Sequence, residues 1–312
     1  MLKGKNNTME DRDGWIWFDG KFVPWRDAKT HVLTHTLHYG MGVFEGLRAY
    51  DTEKGSAIFR LKDHTKRLFN SAKIVGIKIP FTEEELIVAQ KESVKKNNLK
   101  TAYIRPMVFY GAESMGLHAN NLKVHCIVAA WSWGSYLGEE NIKRGIKLKT
   151  SSFPRFHPKA EMCGAKTNGC YINSIIALQE ALDAGCDEAL MLDIDGHVAE
   201  GSGENIFIVS KGALYTPHPT AALNGITRQT IIKFAEDEKI SVAEKKITLE
   251  DVKKADEVFL TGTAAEVTPV REIDGCKIGS GSRGPITQKL QNIYFDVVTG
   301  KNDSYSDWLS VV

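Results

Sequence analysis

Apolar residues run unbroken over 15–18, aromatic and β-branched, and the run resumes over 21–25 after the polar Asp19-Gly20 pair, a two-residue turn signal, so the chain opens as a β-hairpin. The period then lengthens. Asp63 reads as the cap of a helix whose apolar positions Leu68, Phe69, Ala72 and Val75 share one side, with Gly76 as its stop. Thr82 and Glu85 form a capping box ahead of Leu86, Ile87 and Ala89, and Asn97-Asn98 ends that second helix. Residues 102–109 and 124–131 are β-rich runs. Pro106 cannot donate to a ladder, which suggests an edge or a bulge in the first of them. A segment rich in Gly, Trp and Ser follows at 130–140, and the alternation then restarts: a strand at 146–150, a helix at 171–184, and strands at 188–192 and 198–199 joined through Asp195-Gly196. Strands at 205–209 and 214–216 flank a Lys211-Gly212 turn, and a helix follows at 227–238. Strands and helices are mixed without internal repeat, so the class is α/β or α+β. Two domains are expected, a smaller one over 1–130 and a larger one over 141–312, with residues 131–140 as the interdomain loop.

With 42% hydrophobic and 25% charged residues, the 312-residue chain has the mixture of a folded globular protein. Forty basic residues stand against 39 acidic ones, a net charge of +1, so no global field would draw in nucleic acid or an anionic membrane, and a small-molecule partner is the default. Cysteines 126, 163, 170, 186 and 276 are scattered and show no CxxC spacing, which fits a reducing compartment and neither a disulfide scaffold nor a metal site. The opening residues carry acids and no apolar stretch, and no apolar run approaches the roughly 18 residues of a membrane span. The expected location is the cytoplasm.

Lys166 lies in CGAKTNGCY, a small-residue stretch in which little bulk would keep a ligand from the amine. Nucleophilic lysines react with carbonyls, pyridoxal phosphate included; a solvated surface charge is the alternative. Glu200, in AEGSGENIF, could hold a pyridinium nitrogen protonated or simply cap a turn, and Glu204 competes for the same role. Three segments could bind phosphate. Gly225, Ile226 and Thr227 precede a helix whose free N–H groups, with the Thr227 hydroxyl, suit an anion, although an ordinary N-cap Thr explains the pattern equally well. Residues 261–266, TGTAAE, allow close approach of peptide N–H groups, or are an ordinary strand-to-loop turn. Arg60 ends a short apolar run and could form a charge-assisted bond, or lie on the surface. Tyr39 and Phe44 stand between glycines, and Tyr103 and Arg105 share one face of a strand. Core packing accounts for Phe44 as well as a pocket would; Arg105, beside Ile104, Pro106 and Met107, needs an anionic partner. Trp133 and Tyr136 could close over an apolar ligand or belong to a loose hinge.

HYGMGVFEG, AYIRP, GAKTNG with a following Tyr, AEGSGENIF, NGITRQTI and LTGTAAEVTPV stand in the order seen in the branched-chain amino acid aminotransferases of the fold-type IV pyridoxal phosphate enzymes, and the chain resembles that family from Trp15 to about Gly300. The resemblance implies a two-domain architecture with pyridoxal 5′-phosphate at the domain junction. Lys166 matches the lysine that carries the cofactor and, once released, moves the proton. Glu200 matches the acid at the ring nitrogen and Tyr171 the phenol at the ring oxygen. Arg60, Ile226, Thr227 and Thr263 match phosphate ligands. Tyr103, with the backbone of Thr263 and Ala264, matches the α-carboxylate site. Arg105 matches the receiver of glutamate's second carboxylate, and Phe44, Tyr39, Trp133, Tyr136 and Tyr171 resemble the walls for Leu, Ile or Val. The implied substrates are branched-chain amino acids, 2-oxoglutarate and glutamate. A loop at 115–117 matches one supplied by a neighbouring subunit, which implies a homodimer or homohexamer. Many relatives have Asn just before the tyrosine, where this chain has Cys170. The nearest rivals are D-amino acid aminotransferase, aminodeoxychorismate lyase and a non-catalytic ligand-binding relative.

Overall fold

The computed structural model describes residues 8–119, 121–134, 139–159 and 163–312. The chain divides into two units that interleave in sequence. One comprises Met1–Trp133, Thr167–Gly169 and Trp308–Val312, the other Gly134–Lys166 and Cys170–Asp307.

The first unit is built on an antiparallel sheet in the order Leu309–Val311, Gly55–Phe59, Leu47–Thr52, Ala102–Tyr110, Val124–Trp131, Trp15–Phe18, Lys21–Pro24, with Gly42–Phe44 also pairing on Ala102–Tyr110. The opening hairpin has the expected register, Phe18 opposite Lys21, because Asp19 and Gly20 both take positive φ, 48° and 90°, as a primed turn requires. Helices Leu61–Ile74 and Glu83–Lys96 pack on this sheet, and Leu68, Ala72, Leu86, Ala89 and Val94 join Leu47, Ile58, Ile104 and Val128 in one buried core. The Thr82–Glu85 capping box forms in full. The first helix starts two residues before Asp63: Arg60 is its N-cap, and Asp63 lies in the first turn, where it accepts from Arg60 Nε at 2.5 Å.

Pro106 sits neither at an edge nor at a bulge. It pairs with Val128 inside the sheet, and on its other side its carbonyl accepts from Glu45 N at 2.9 Å, where Glu45 and Gly46 separate Gly42–Phe44 from Leu47–Thr52. A residue's N and O face the same side of a strand, so the missing donor falls at that interruption.

The second unit holds a mixed sheet in the order Val198–Gly201, Glu188–Leu192, Ile146–Thr150, Glu266–Ile273, Glu257–Gly262, Asn205–Ser210, Ala213–Thr216, Val242–Glu244, with Cys276–Lys277 on Glu266–Ile273. Ile146–Thr150 runs parallel to both its neighbours, and helix Tyr171–Asp183 lies in its crossover to Glu188–Leu192. Ile146, Leu148, Leu190, Ile206, Val258 and Leu260 form the core beneath the central strands. Helices Ile226–Asp237 and Pro285–Val298 pack together and against Glu257–Gly262. Sheets of this kind with helices interspersed make the class α+β. Among the described residues no helix is long and apolar enough to cross a membrane.

Candidate active site

The strand that ends Val198–Gly201 is two residues longer than its sequence pattern implies, which puts Glu200 in the ladder opposite Met191 rather than in a loop. Its carboxylate is buried, and Arg155 Nε lies 2.8 Å from Glu200 Oε1. Nε makes no well-angled hydrogen bond there, so charge holds this pair more than direction does. Burial pushes the Glu200 carboxyl above its ordinary range; Arg155, a bond from the Leu223 amide and Lys166 pull it part of the way back. The guanidinium is itself held by Asn173 Oδ1 at 2.9 Å and Ser174 Oγ at 3.4 Å, both on helix Tyr171–Asp183.

Lys166 precedes that helix by one short loop, and its Nζ donates to the Tyr171 hydroxyl, which stands on the first helical residue. The amine and the phenol thus meet in front of Glu200, whose charge Lys166 feels. Residues 167–169, directly after Lys166, belong to the other unit. There Thr167 bridges Val43, and Asn168 N and Gly169 N donate to Gly42 O and Gly40 O at 2.9 and 3.1 Å. Cys170 is the N-cap, and its side chain makes no capping bond. Asn168 Oδ1 is buried without a partner among the described residues.

Two further glutamates surround Glu200. Glu188 Oε1 accepts from Ala189 N and Ser202 N, while Glu204 Oε2 accepts from Gly203 N, so both grip the turn that follows Glu200. Burial raises both carboxyls, Glu204 far above the ordinary range because Glu188 faces it. The protonated form is thus favoured most at Glu204, while at Glu200 the Arg155 guanidinium opposes the effect of burial.

Helix Ile226–Asp237 begins one residue earlier than the pattern suggests, with Gly225 as its N-cap. No side chain caps this end and no acid stands in its first turn, so the N–H groups of buried Ile226 and Thr227 meet the positive end of the helix dipole uncompensated. Glycine is required at 225, because a Cβ there would lie 2.1 Å from Asn205 Oδ1. Thr263 and Ala264 follow strand Glu257–Gly262, and the Thr261 hydroxyl just before them is buried without a partner among the described residues.

In the first unit, Arg105 Nη2 donates to the Tyr103 hydroxyl at 3.2 Å, and its guanidinium carbon lies 4.6 Å from the Phe44 ring centre. Arg105 Nε is buried with no partner among the described residues. Tyr103 packs edge-on against Trp133 at 4.6 Å and at a tilt against Trp131 at 5.2 Å. Gly46 must be glycine: a Cβ would lie 2.0 Å from the Tyr103 hydroxyl. Tyr39 stands with a different set. Its hydroxyl accepts from Gly116 N at 3.1 Å, and it lies exposed beside Met115 and Leu117. Arg60 is reached from the same sheet and stacks on Trp308. Tyr136 lies outside the described residues.

Phe44, Tyr103, Arg105 and Trp133 are thus one group, and Lys166, Tyr171 and Glu200 another. Arg155, Glu188 and Trp131 were not singled out in the sequence. A lone Arg between Pro154 and Phe156 carries the same weak signal as Arg105, a charge among apolar neighbours that needs a partner.

The model of the amino-transferase class IV family matches residues 42–273. A branched-chain-amino-acid aminotransferase of Pseudomonas aeruginosa is 61% identical over 305 residues, 98% of this chain and 99% of that protein. Among solved structures, the branched-chain amino acid aminotransferase of Escherichia coli superposes with a TM-score of 0.94 at 43% identity, covering 96% of this chain and 99% of that one. A T.th. branched-chain amino acid aminotransferase with pyridoxamine 5′-phosphate gives 0.94 at 48% identity and the same coverage, and its complex with N-(5′-phosphopyridoxyl)-L-glutamate gives 0.91 at 46%.

Proposed function

We propose, from the premise that this chain belongs to the amino-transferase class IV family, that it is a branched-chain amino acid aminotransferase using pyridoxal 5′-phosphate. It moves the amino group of Leu, Ile or Val to 2-oxoglutarate, giving a branched-chain 2-oxo acid and glutamate. The observation that carries this reading is the Lys166 amine set on the Tyr171 phenol in front of a buried, arginine-paired Glu200.

The donor set fits the cofactor. Its phosphate would meet the uncapped N–H groups of Ile226 and Thr227, with Thr263 and Arg60 as further ligands, and its ring would meet Glu200 and Tyr171. Bound there, the group supplies an electrophilic carbonyl carbon and a ring that withdraws electrons. Lys166 Nζ would hold it and, once released, would take the substrate's α-proton and return it. The Tyr171 hydroxyl at Nζ orients that amine. Glu200, its carboxyl lifted by burial and pulled part of the way back by Arg155, would face the pyridine nitrogen and share a proton with it.

Tyr103, with the backbone of Thr263 and Ala264, receives the α-carboxylate. Phe44 and Trp133, grouped with Tyr103, offer apolar surface for the substrate side chain, and the unmet Arg105 Nε offers a donor when glutamate brings a second carboxylate. The exposed Tyr39, Met115 and Leu117, joined through Gly116, support a homo-oligomer in which this patch completes a neighbour's pocket. Five cysteines, none of them in a disulfide, support a cytoplasmic setting.

Mixing the cofactor-loaded enzyme with leucine alone tests the proposal. Stoichiometric keto acid and the pyridoxamine form are expected before any 2-oxoglutarate is added, followed by ping-pong kinetics in the full reaction. Keto acid from D-alanine and none from L-leucine would move the assignment to the D-amino acid enzymes, and no cofactor uptake would favour a non-catalytic binder.

A further inference from the structure

Arg60 combines an unusual backbone with an unusual number of restraints. It takes φ 52° and ψ 36°, the left-handed region that a side chain with a Cβ seldom adopts, at the point where strand Gly55–Phe59 gives way to helix Leu61–Ile74. Such a conformation persists only where the surroundings hold it, and here they come from the far end of the chain. Arg60 N donates to Trp308 O at 2.7 Å. Leu309–Val311 then continues as the antiparallel partner of Gly55–Phe59, with Leu309 opposite Phe59, Ser310 opposite Ile58 and Val311 opposite Ala57. Val312 N donates to Ser56 O at 2.9 Å, and Lys91 Nζ bonds Val311 O at 2.7 Å, which fastens the segment at its end.

The side chain is held as firmly as the backbone. The guanidinium carbon lies 4.5 Å from the centre of the Trp308 ring, and the indole is itself set edge-on by Phe59 at 6.0 Å. Asp63 takes the Nε edge at 2.5 Å, and the arginine side chain is only 10% exposed. One face against an indole and one edge on a carboxylate fix both the position and the plane of the fork.

We infer that Trp308 is a positioning residue: the terminal segment 308–312 is a clasp that holds Arg60 in its left-handed conformation and orients its guanidinium for the cofactor phosphate. This rests on the assignment of Arg60 as a phosphate ligand made above. The clasp acts on one end of the cofactor only. Ring contacts do not depend on it, so its loss is selective for the phosphorylated ligand.

The experiment measures equilibrium binding of pyridoxal 5′-phosphate and of unphosphorylated pyridoxal to the full-length apo-protein and to Trp308→Leu, Trp308→Phe and Arg60→Ala. Leucine keeps the apolar bulk at 308 and removes the π face; phenylalanine keeps a π face. Trp308→Leu is expected to weaken pyridoxal 5′-phosphate about five- to tenfold, the effect of losing one stacked cation, with pyridoxal unchanged and Trp308→Phe close to the parent. Equal weakening of both ligands, or no weakening of either, overturns the inference, and retained pyridoxal binding shows that the variant is folded. If Arg60→Ala leaves the phosphorylated ligand unaffected, the inference falls while the aminotransferase reading stands. If the parent protein takes up neither ligand, that reading itself has failed.

Discussion

Replacing Arg155 with methionine removes the charge behind Glu200 while keeping most of the apolar stem. Both side chains of the pair are more than nine-tenths buried and 2.8 Å apart, so the variant leaves a carboxylate that water cannot reach. Stranding a buried charge in this way costs about 3–5 kcal/mol if the group stays ionised. Protonation is the escape, and it sets the pH dependence. Glu200 already has a folded-state value above its unfolded one, so its neutral form favours the folded chain at low pH, and that contribution is lost as pH rises through the folded value. Without Arg155, the first of the opposing influences, the folded value climbs further and the loss extends to higher pH. Near pH 4, below the unfolded value of about 4.3, the variant forfeits only the bonds to Asn173 and Ser174, roughly 1–2 kcal/mol, whereas near pH 8 it should approach the full penalty. Urea unfolding of the apo-protein at these two pH values, with parent and variant side by side, reads the difference directly. An equal destabilisation at both would refute the reasoning, because Glu200 would then owe none of its charge to Arg155.

Three other outcomes follow from the same geometry. Arg105→Met should raise the KM for 2-oxoglutarate and glutamate by about tenfold or more and leave the leucine half-reaction nearly intact, since one charged hydrogen-bonding partner of the second carboxylate is lost; half-reaction kinetics separate the two. Glu204→Gln should preserve cofactor affinity and the absorbance spectrum across neutral pH, because burial and Glu188 both favour the protonated carboxyl, and a large spectral change would show that it was charged. Glu45 is fully buried between Arg67 Nε at 2.6 Å and His64 Nδ1 at 2.7 Å. Burial alone would raise its carboxyl, but the attraction of Arg67 and the bonds from Arg67 and His64 outweigh burial and hold it well below the usual range. Its stabilising share is present above about pH 4.3 and fades as pH falls below that, so Glu45→Gln should cost roughly 3 kcal/mol near pH 7 and far less under strongly acid conditions in denaturation curves.

What could be read from the sequence was mostly what local chemistry decides. The primed turns at Asp19-Gly20 and Lys211-Gly212 and the Thr82–Glu85 box depend on neighbours within three residues, and each formed as expected. Lys166 and Tyr171 meet because only a short loop separates the lysine from the first residue of the helix. Long-range pairings left little trace. Arg155 is 45 residues from Glu200 and carries only the generic signal of a charge among apolar residues. The clasp on Arg60 comes from a tryptophan 248 positions away, in a terminal segment whose strand is only three residues long. Pro106 misleads for the same reason: its tolerance in an inner strand depends on where the neighbouring strands break, which the pattern around the proline does not contain.

The central claim is that a single amine, Lys166 Nζ, carries the cofactor. Borohydride reduction of the loaded protein, followed by proteolysis and mass spectrometry, tests it most directly. The account predicts one pyridoxyl addition, on the peptide containing Lys166, and none in Lys166→Ala. A protein that transaminates leucine with its label on another lysine, or with no label at all, would contradict it.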